Sequence, residues 1–124
     1  MKPAVEPLFS QVARFVQDLI IDGVLGPGER APSTNELAEF HDINPATARK
    51  GLALLVDAGI LRTRRGIGTF VTPDAKAIII AERREALPAA FVAPLVDEAL
   101  RLGYDRDSLH DLIQRVAESR GMYR

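Results

Sequence analysis

Apolar positions recur at three- and four-residue steps near the start of the chain. Leu8, Val12, Phe15, Val16, Leu19 and Ile20 make one face of a helix over Pro7 to Asp22. Pro7 suits the first turn, where its missing N–H is no loss, and Gly23 supplies a stop. Gly26-Pro27-Gly28 reads as a tight connection. Ser33 and Glu36 have the spacing of a capping box, in which each side chain satisfies a free backbone N–H of the first turn. A second, short helix therefore starts at Ser33, turns Leu37 and Ala38 inward and ends near Phe40. His41-Asp42-Ile43 is the turn. Asn44 is a good N-cap and Pro45 a good first residue for a third helix, which buries Ala48, Leu52 and Leu55 and runs to about Ala58, with Gly59 closing it. Two helices joined by so short a turn form a helix-turn-helix.

The period then changes. Ile60 to Arg64 and Thr69 to Val71 are strand-like, and Arg65-Gly66-Ile67-Gly68 makes the turn between them. Three helices and a hairpin predict a winged helix-turn-helix over residues 1–72. Residues 73–124 read as helical. Pro73-Asp74 opens a stretch to about Leu102 that Pro88 and Pro94 should kink or break. Gly103 ends it, and Asp105 caps a last helix carrying Leu109, Leu112, Ile113 and Val116 on one face. Two helices cannot enclose a core alone, so this segment must pack on the first domain or on another copy. The expected class is mostly α, with an N-terminal winged helix-turn-helix and a two-helix C-terminal dimerisation segment. Its dimer stripe would comprise Ile79, Leu87, Phe91, Leu95, Leu109, Leu112 and Val116.

Net charge hides the charge pattern. The formal value is −1, yet residues 47–68 hold five cations (Arg49, Lys50, Arg62, Arg64, Arg65) against Asp57, while residues 1–46 hold three cations against seven anions. A basic island in an acidic chain is what an anionic partner meets first. The absence of cysteine excludes a disulfide framework, a thiol nucleophile and a cysteine zinc site. The longest strongly apolar run, Ala77 to Ala81, is far short of a membrane span. The first six residues lack the apolar stretch of a signal peptide. The reading is a soluble, cytoplasmic protein with no membrane partner.

Several motifs in register carry a resemblance. Pro7-Leu8-Phe9-x-Gln11-Val12, Gly23-x-Leu25-x-Pro27-Gly28, Pro32-Ser33-x-x-Glu36-Leu37-Ala38 and Arg64-x-Gly66-x-Gly68-Thr69-Phe70-Val71 resemble the GntR family of bacterial transcription regulators. Asn44-Pro45-x-Thr47 and the short two-helix tail resemble its YtrA-type subgroup. Three positions depart from the family pattern, with Asn35 where Arg is common, Ala31 for Leu and Ala48 for Val. Asn35 can donate a hydrogen bond but not the bidentate fork of an arginine. The resemblance implies a homodimer on an inverted-repeat operator of double-stranded DNA, repression of transport genes, and neither catalysis nor a metal.

With Ala48, Leu52 and Leu55 inward, Pro45, Ala46, Thr47, Arg49 and Lys50 lie near the exposed N-terminal end of the third helix. Small residues there allow close approach to a groove. Arg49 can fork onto guanine O6 and N7, and the Thr47 methyl can touch thymine. Arg62, Arg64 and Arg65, beside Gly66 and Gly68, suit a wing lying along a backbone or dipping into a minor groove. Ser33, Asn35 and Asn44 complete the candidate DNA-binding set. The same cations could instead form an ordinary solvated face, and the glycines could serve only the turn.

His110 with Asp107 makes a poor metal site, and no nucleotide loop or nucleophile motif is present, so no cofactor, metal or catalytic residue is expected. Two rival functions are a winged-helix protein-interaction module without DNA readout and a small-molecule sensor with an inter-subunit pocket. An unidentified small-molecule effector is compatible with either the regulator or the sensor.

Overall fold

The computed structural model describes residues 6–124; the reading of the first five residues lies outside them. Six α-helices and one hairpin follow in order: α1 (Leu8–Ile21), α2 (Thr34–His41), α3 (Pro45–Asp57), β1 (Leu61–Arg64), β2 (Gly68–Val71), α4 (Ala75–Leu87), α5 (Ala93–Arg101) and α6 (Arg106–Ser119). Two compact units divide between Arg83 and Arg84.

In the first unit, α1 buries Val12, Ala13, Val16 and Ile20, while Leu8 stays over half exposed. The capping box forms in both halves: the Ser33 N–H donates to Glu36 Oε1 at 3.0 Å and the Glu36 N–H to Ser33 Oγ at 3.1 Å. Asn44 Oδ1 accepts the Ala46 N–H at 2.8 Å and starts α3. Between them Asp42 adopts the left-handed conformation at φ 52°, a region that Asp tolerates better than most side chains. The turn between the two helices is thus set by two local features, the left-handed Asp42 and the Asn44 cap.

Helix α3 crosses α1 at Gly51. A Cβ there would stand 2.7 Å from the Phe9 carbonyl oxygen and 3.1 Å from the Val12 side chain, so only glycine permits this approach. Ala48, Leu52 and Leu55 close the core beside it, together with Leu37, Ile60, Leu61 and Val71.

The hairpin pairs Leu61 with Val71, Arg62 with Phe70, Thr63 with Thr69 and Arg64 with Gly68. The segment after the Gly26-Pro27-Gly28 connection pairs with the other edge of β2. Gly28 and Ala31 donate to the carbonyls of Val71 and Thr69 at 2.8 Å, Val71 donates to Glu29 at 2.9 Å, and Arg30 faces Phe70 as an antiparallel bridge. This covers an edge that would otherwise be free.

Helix α4 corrects one expectation. Ile79 is completely buried in the core of the first unit, one turn beyond buried Ala75, and so cannot serve a dimer stripe. Its period matched that stripe, but its face is spent on this chain's own core. Arg83 fastens the same stretch to α1: Nη1 donates to Asp18 Oδ1 at 2.8 Å and Nη2 to Gln17 Oε1 at 2.9 Å. The first unit therefore reaches Arg83, beyond the boundary expected at residue 72.

In the second unit the prolines do not stop the helical path. Pro88–Val92 forms one π-helical turn, with the Ala93 N–H reaching the Pro88 carbonyl, and α5 follows directly. Asp105 caps α6 as expected, accepting the Ser108 N–H at 2.8 Å. Ala99 is buried in this unit, while Leu87, Phe91, Leu95 and Val116 are exposed and Leu109 and Leu112 half-buried.

Candidate nucleic-acid interface

Helix α3 buries Ala48, Gly51, Leu52 and Leu55. At 100° per residue the opposite side carries Ala46 and Ala53, flanked by Arg49 on one side and Lys50 on the other. All four are exposed, as are Asn44 and Pro45, and Thr47 is half-buried. The stripe is low, so a groove wall can approach the helix backbone. Ala53 was not among the residues expected here; the helical period alone would have found it.

The two cations differ in their surroundings. The Lys50 ammonium lies 4.0 Å from the centroid of the Phe9 ring and is thus drawn toward α1. Arg49 lines a cleft of about 330 Å³ between the start of α2, α3 and the wing, with Arg30, Ser33, Asn35 and Gly68 among the other walls. The structure thus brings four of the expected residues together (Ser33, Asn35, Arg49, Gly68). Ser33 Oγ accepts the Glu36 N–H, leaving its hydroxyl proton to donate.

Arg30 was missed. It stood in the acidic first part of the chain, just after the Gly26-Pro27-Gly28 connection, in a stretch given no element. No local pattern marked it, because Glu29 and Arg30 are both exposed and only Ala31 is buried; the pairing with β2 is what places it. The Arg30 side chain lies against Gly68. A Cβ on Gly68 would meet Arg30 Nε at 2.8 Å, and φ there is +147°. Gly68 therefore makes room for a guanidinium as well as ending the wing turn.

On the wing, Arg62, Arg64, Arg65 and Gly66 are all exposed. The register puts Arg62, Arg64, Phe70 and Arg30 on one face of the small sheet. Arg64 lies 5.3 Å from the Phe70 ring centroid. The Arg64 carbonyl accepts the Ile67 N–H at 3.0 Å, which closes the tip. Among the described residues the ion pairs are Arg14–Glu6 and Arg83–Asp18, so none of these wing and cleft cations is neutralised by a carboxylate. Glu36, next to Asn35 on α2, is engaged in the cap. The Ser33 backbone N–H, then the Ser33 side chain, hold its carboxyl below the ordinary value, and Arg30 adds to this.

A two-helix turn with a low, cation-flanked second helix and a hairpin rich in unpaired arginine defines a winged helix-turn-helix protein. The chain belongs to the gntR family of bacterial regulatory proteins, whose model matches residues 8–71. It is similar to the HTH-type transcriptional repressor YtrA of Bacillus subtilis (strain 168), 29% identical over 111 residues, which is 90% of this chain and 85% of that protein. The fold resembles that of a GntR family transcriptional regulator from Listeria monocytogenes, with a TM-score of 0.70 at 23% identity, covering 89% of this chain and 95% of the other. A crystal structure of AraR(DBD) in complex with operator ORX1 matches 58% of this chain and 90% of its own, at 31% identity and a TM-score of 0.53.

Proposed function

We propose that this chain is a sequence-specific DNA-binding transcription regulator that acts as a repressor, binding an inverted-repeat operator as a homodimer. The observation that carries this reading is the exposed stripe of α3, Ala46 and Ala53 between Arg49 and Lys50, next to a wing whose arginines have no acidic partner among the described residues. The N-terminal half of α3 enters the major groove, with Arg49 directed at a base edge and Ala46 and Thr47 at thymine methyls. Arg62, Arg64, Arg65 and Gly66 follow the backbone beside it. The relative named YtrA is a repressor, which supports that direction of control.

The homodimer rests on the second unit, where Leu87, Phe91, Leu95 and Val116 are exposed and a second copy would cover them. A groove of about 360 Å³ lined by Val96, Ala99, Leu100, Tyr104, Leu109 and His110, among others, gives a small-molecule effector a place within this unit. The function is binding, with no catalytic step and no cofactor. The site of action is the cytoplasm, where a bacterial regulator meets its operator; among the described residues no helix is long and apolar enough to cross a membrane.

The test is selection of bound duplexes from a random library, followed by competition of the enriched sequence against unselected DNA. An enriched inverted repeat bound at least about a thousandfold more tightly than unselected DNA is expected. No enrichment, with binding equal for all sequences, overturns the reading.

A further inference from the structure

The cleft between α2, α3 and the wing contains a cation for which neither the fold nor the recognition helix accounts. Arg30 is exposed, lies against the bare Gly68 backbone and forms no ion pair among the described residues. Its main chain is fixed by the bridge to Phe70 and by the flanking hydrogen bonds of Glu29 and Ala31 to β2. The guanidinium is therefore carried on a paired strand rather than on a loose connection. Its carboxylate neighbour, Glu36, is held by Ser33 and forms no ion pair with Arg30. Arg49 of α3 lines the same cleft, as do the hydroxyl-bearing Thr34 and Thr69.

From this geometry we infer that Arg30 is a phosphate-binding residue: its guanidinium holds one backbone phosphate in the cleft at the flank of α3, beside Arg49 and without touching the bases. The inference rests on the DNA-binding reading above and adds to it a contact from outside both the helix-turn-helix and the hairpin. A guanidinium suits this task because its fork matches two phosphate oxygens. The cleft is about 330 Å³, open to solvent, and borders the exposed face of α3. The anion that reaches it when α3 lies in a groove is the flanking strand. Gly68 fits the same account, since any side chain there would displace Arg30.

The test measures affinity for the selected duplex across a salt series for wild type, Arg30→Gln and Arg30→Lys. Arg30→Gln should bind roughly fivefold more weakly near physiological ionic strength and lower the salt slope by about 0.9, the value of one lost phosphate contact. Arg30→Lys should keep the wild-type slope. Base preference in competition should be unchanged in both. A second measurement uses duplexes with single methylphosphonate linkages. One position per half-site should weaken wild type and leave Arg30→Gln unaffected, and this comparison reads the contact even if the variant is less stable. A slope for Arg30→Gln equal to wild type, a changed base preference, or the lack of any such position overturns the inference. If the wild-type chain itself enriches no duplex, the DNA-binding reading falls instead, a result distinct from all of these.

Discussion

The Lys50 ammonium sits 4.0 Å above the centroid of Phe9, so the recognition-helix candidate is tied to α1 by a charge as well as by packing. This contact turns a residue expected only at the DNA surface into part of the α1–α3 joint. A partly exposed cation–π pair contributes about 0.5–1 kcal/mol. Lys50→Ala should therefore lower stability by about that much, and a double-mutant cycle with Phe9→Leu should show coupling between the two. Urea denaturation measures it, and strictly additive losses would remove the interaction.

Gly51 lies at the same joint. Alanine is the better helix former by about 1 kcal/mol, and on propensity alone Gly51→Ala should stabilise α3. The added Cβ would stand 2.7 Å from the Phe9 carbonyl, which is backbone and cannot swing aside. Overpacking of this kind costs about 1–3 kcal/mol, so a net loss of stability is expected. A rise in the urea midpoint would contradict the crossing geometry.

Local chemistry made most of the first unit legible in the sequence. Ser33 with Glu36, and Asn44 before Pro45, act within one turn of chain, and each became the cap its spacing implied. The hairpin over Ile60 to Val71 was legible for the same reason, though Gly68, read as part of the turn, opens β2 opposite Arg64. Long-range partners were not legible. Arg30 became a site residue only through pairing with Phe70, forty positions away in sequence. Ile79 had the right period for an apolar stripe, but period does not say which core a stripe faces. At Pro88 and Pro94 the missing donors were evident, while the π-turn over Pro88–Val92 that keeps the helical path going was not. The exposed position of Arg49 came from the helical period of α3, while its grouping with Ser33, Asn35 and Gly68 in one cleft came only from the fold.

Arg49 and the wing arginines should separate by the kind of contact they make. Arg49→Ala should cost roughly 1–3 kcal/mol in specific binding and relax preference at one base pair per half-site. Arg64→Ala and Arg65→Ala should weaken all sequences about equally, each lowering the salt slope by about one unit. Competition between the selected duplex and single-base variants, repeated across salt, distinguishes the two patterns. Unchanged specificity in Arg49→Ala would take that residue out of base readout.

Acid should loosen α2. The Ser33 backbone N–H, and next its side chain, hold the Glu36 carboxyl below its ordinary 4.5. A depressed folded value means that the unfolded chain takes up the proton first. The contribution of Glu36 is thus complete above the ordinary carboxylate range and is lost as pH falls through the folded value. Glu36→Gln keeps a cap of similar shape without the charge. Its stability deficit against wild type should shrink between about pH 7 and about pH 3, as read from urea midpoints. A deficit that stays constant over that range would show that the charge adds nothing.

On the proposed homodimer reading, the second unit brings two recognition helices together. Leu112 is half-buried on α6, and Val116, one turn further along the same face, is half exposed. A homodimer would pair such surfaces from both copies and could set two α3 helices about one DNA turn, roughly 34 Å, apart. The second half-site would then bind at a high effective concentration, so operator affinity would depend on the seam as well as on Arg49. Leu112→Asp places a charge in that seam and should give a monomer with sharply weaker operator binding, while the thermal melt of the first unit, whose core lies before Arg83, is retained. Sedimentation of the wild-type chain gives the direct answer. A species that stays monomeric at roughly tens of micromolar, where even a weak dimer would form, would rule out the paired arrangement.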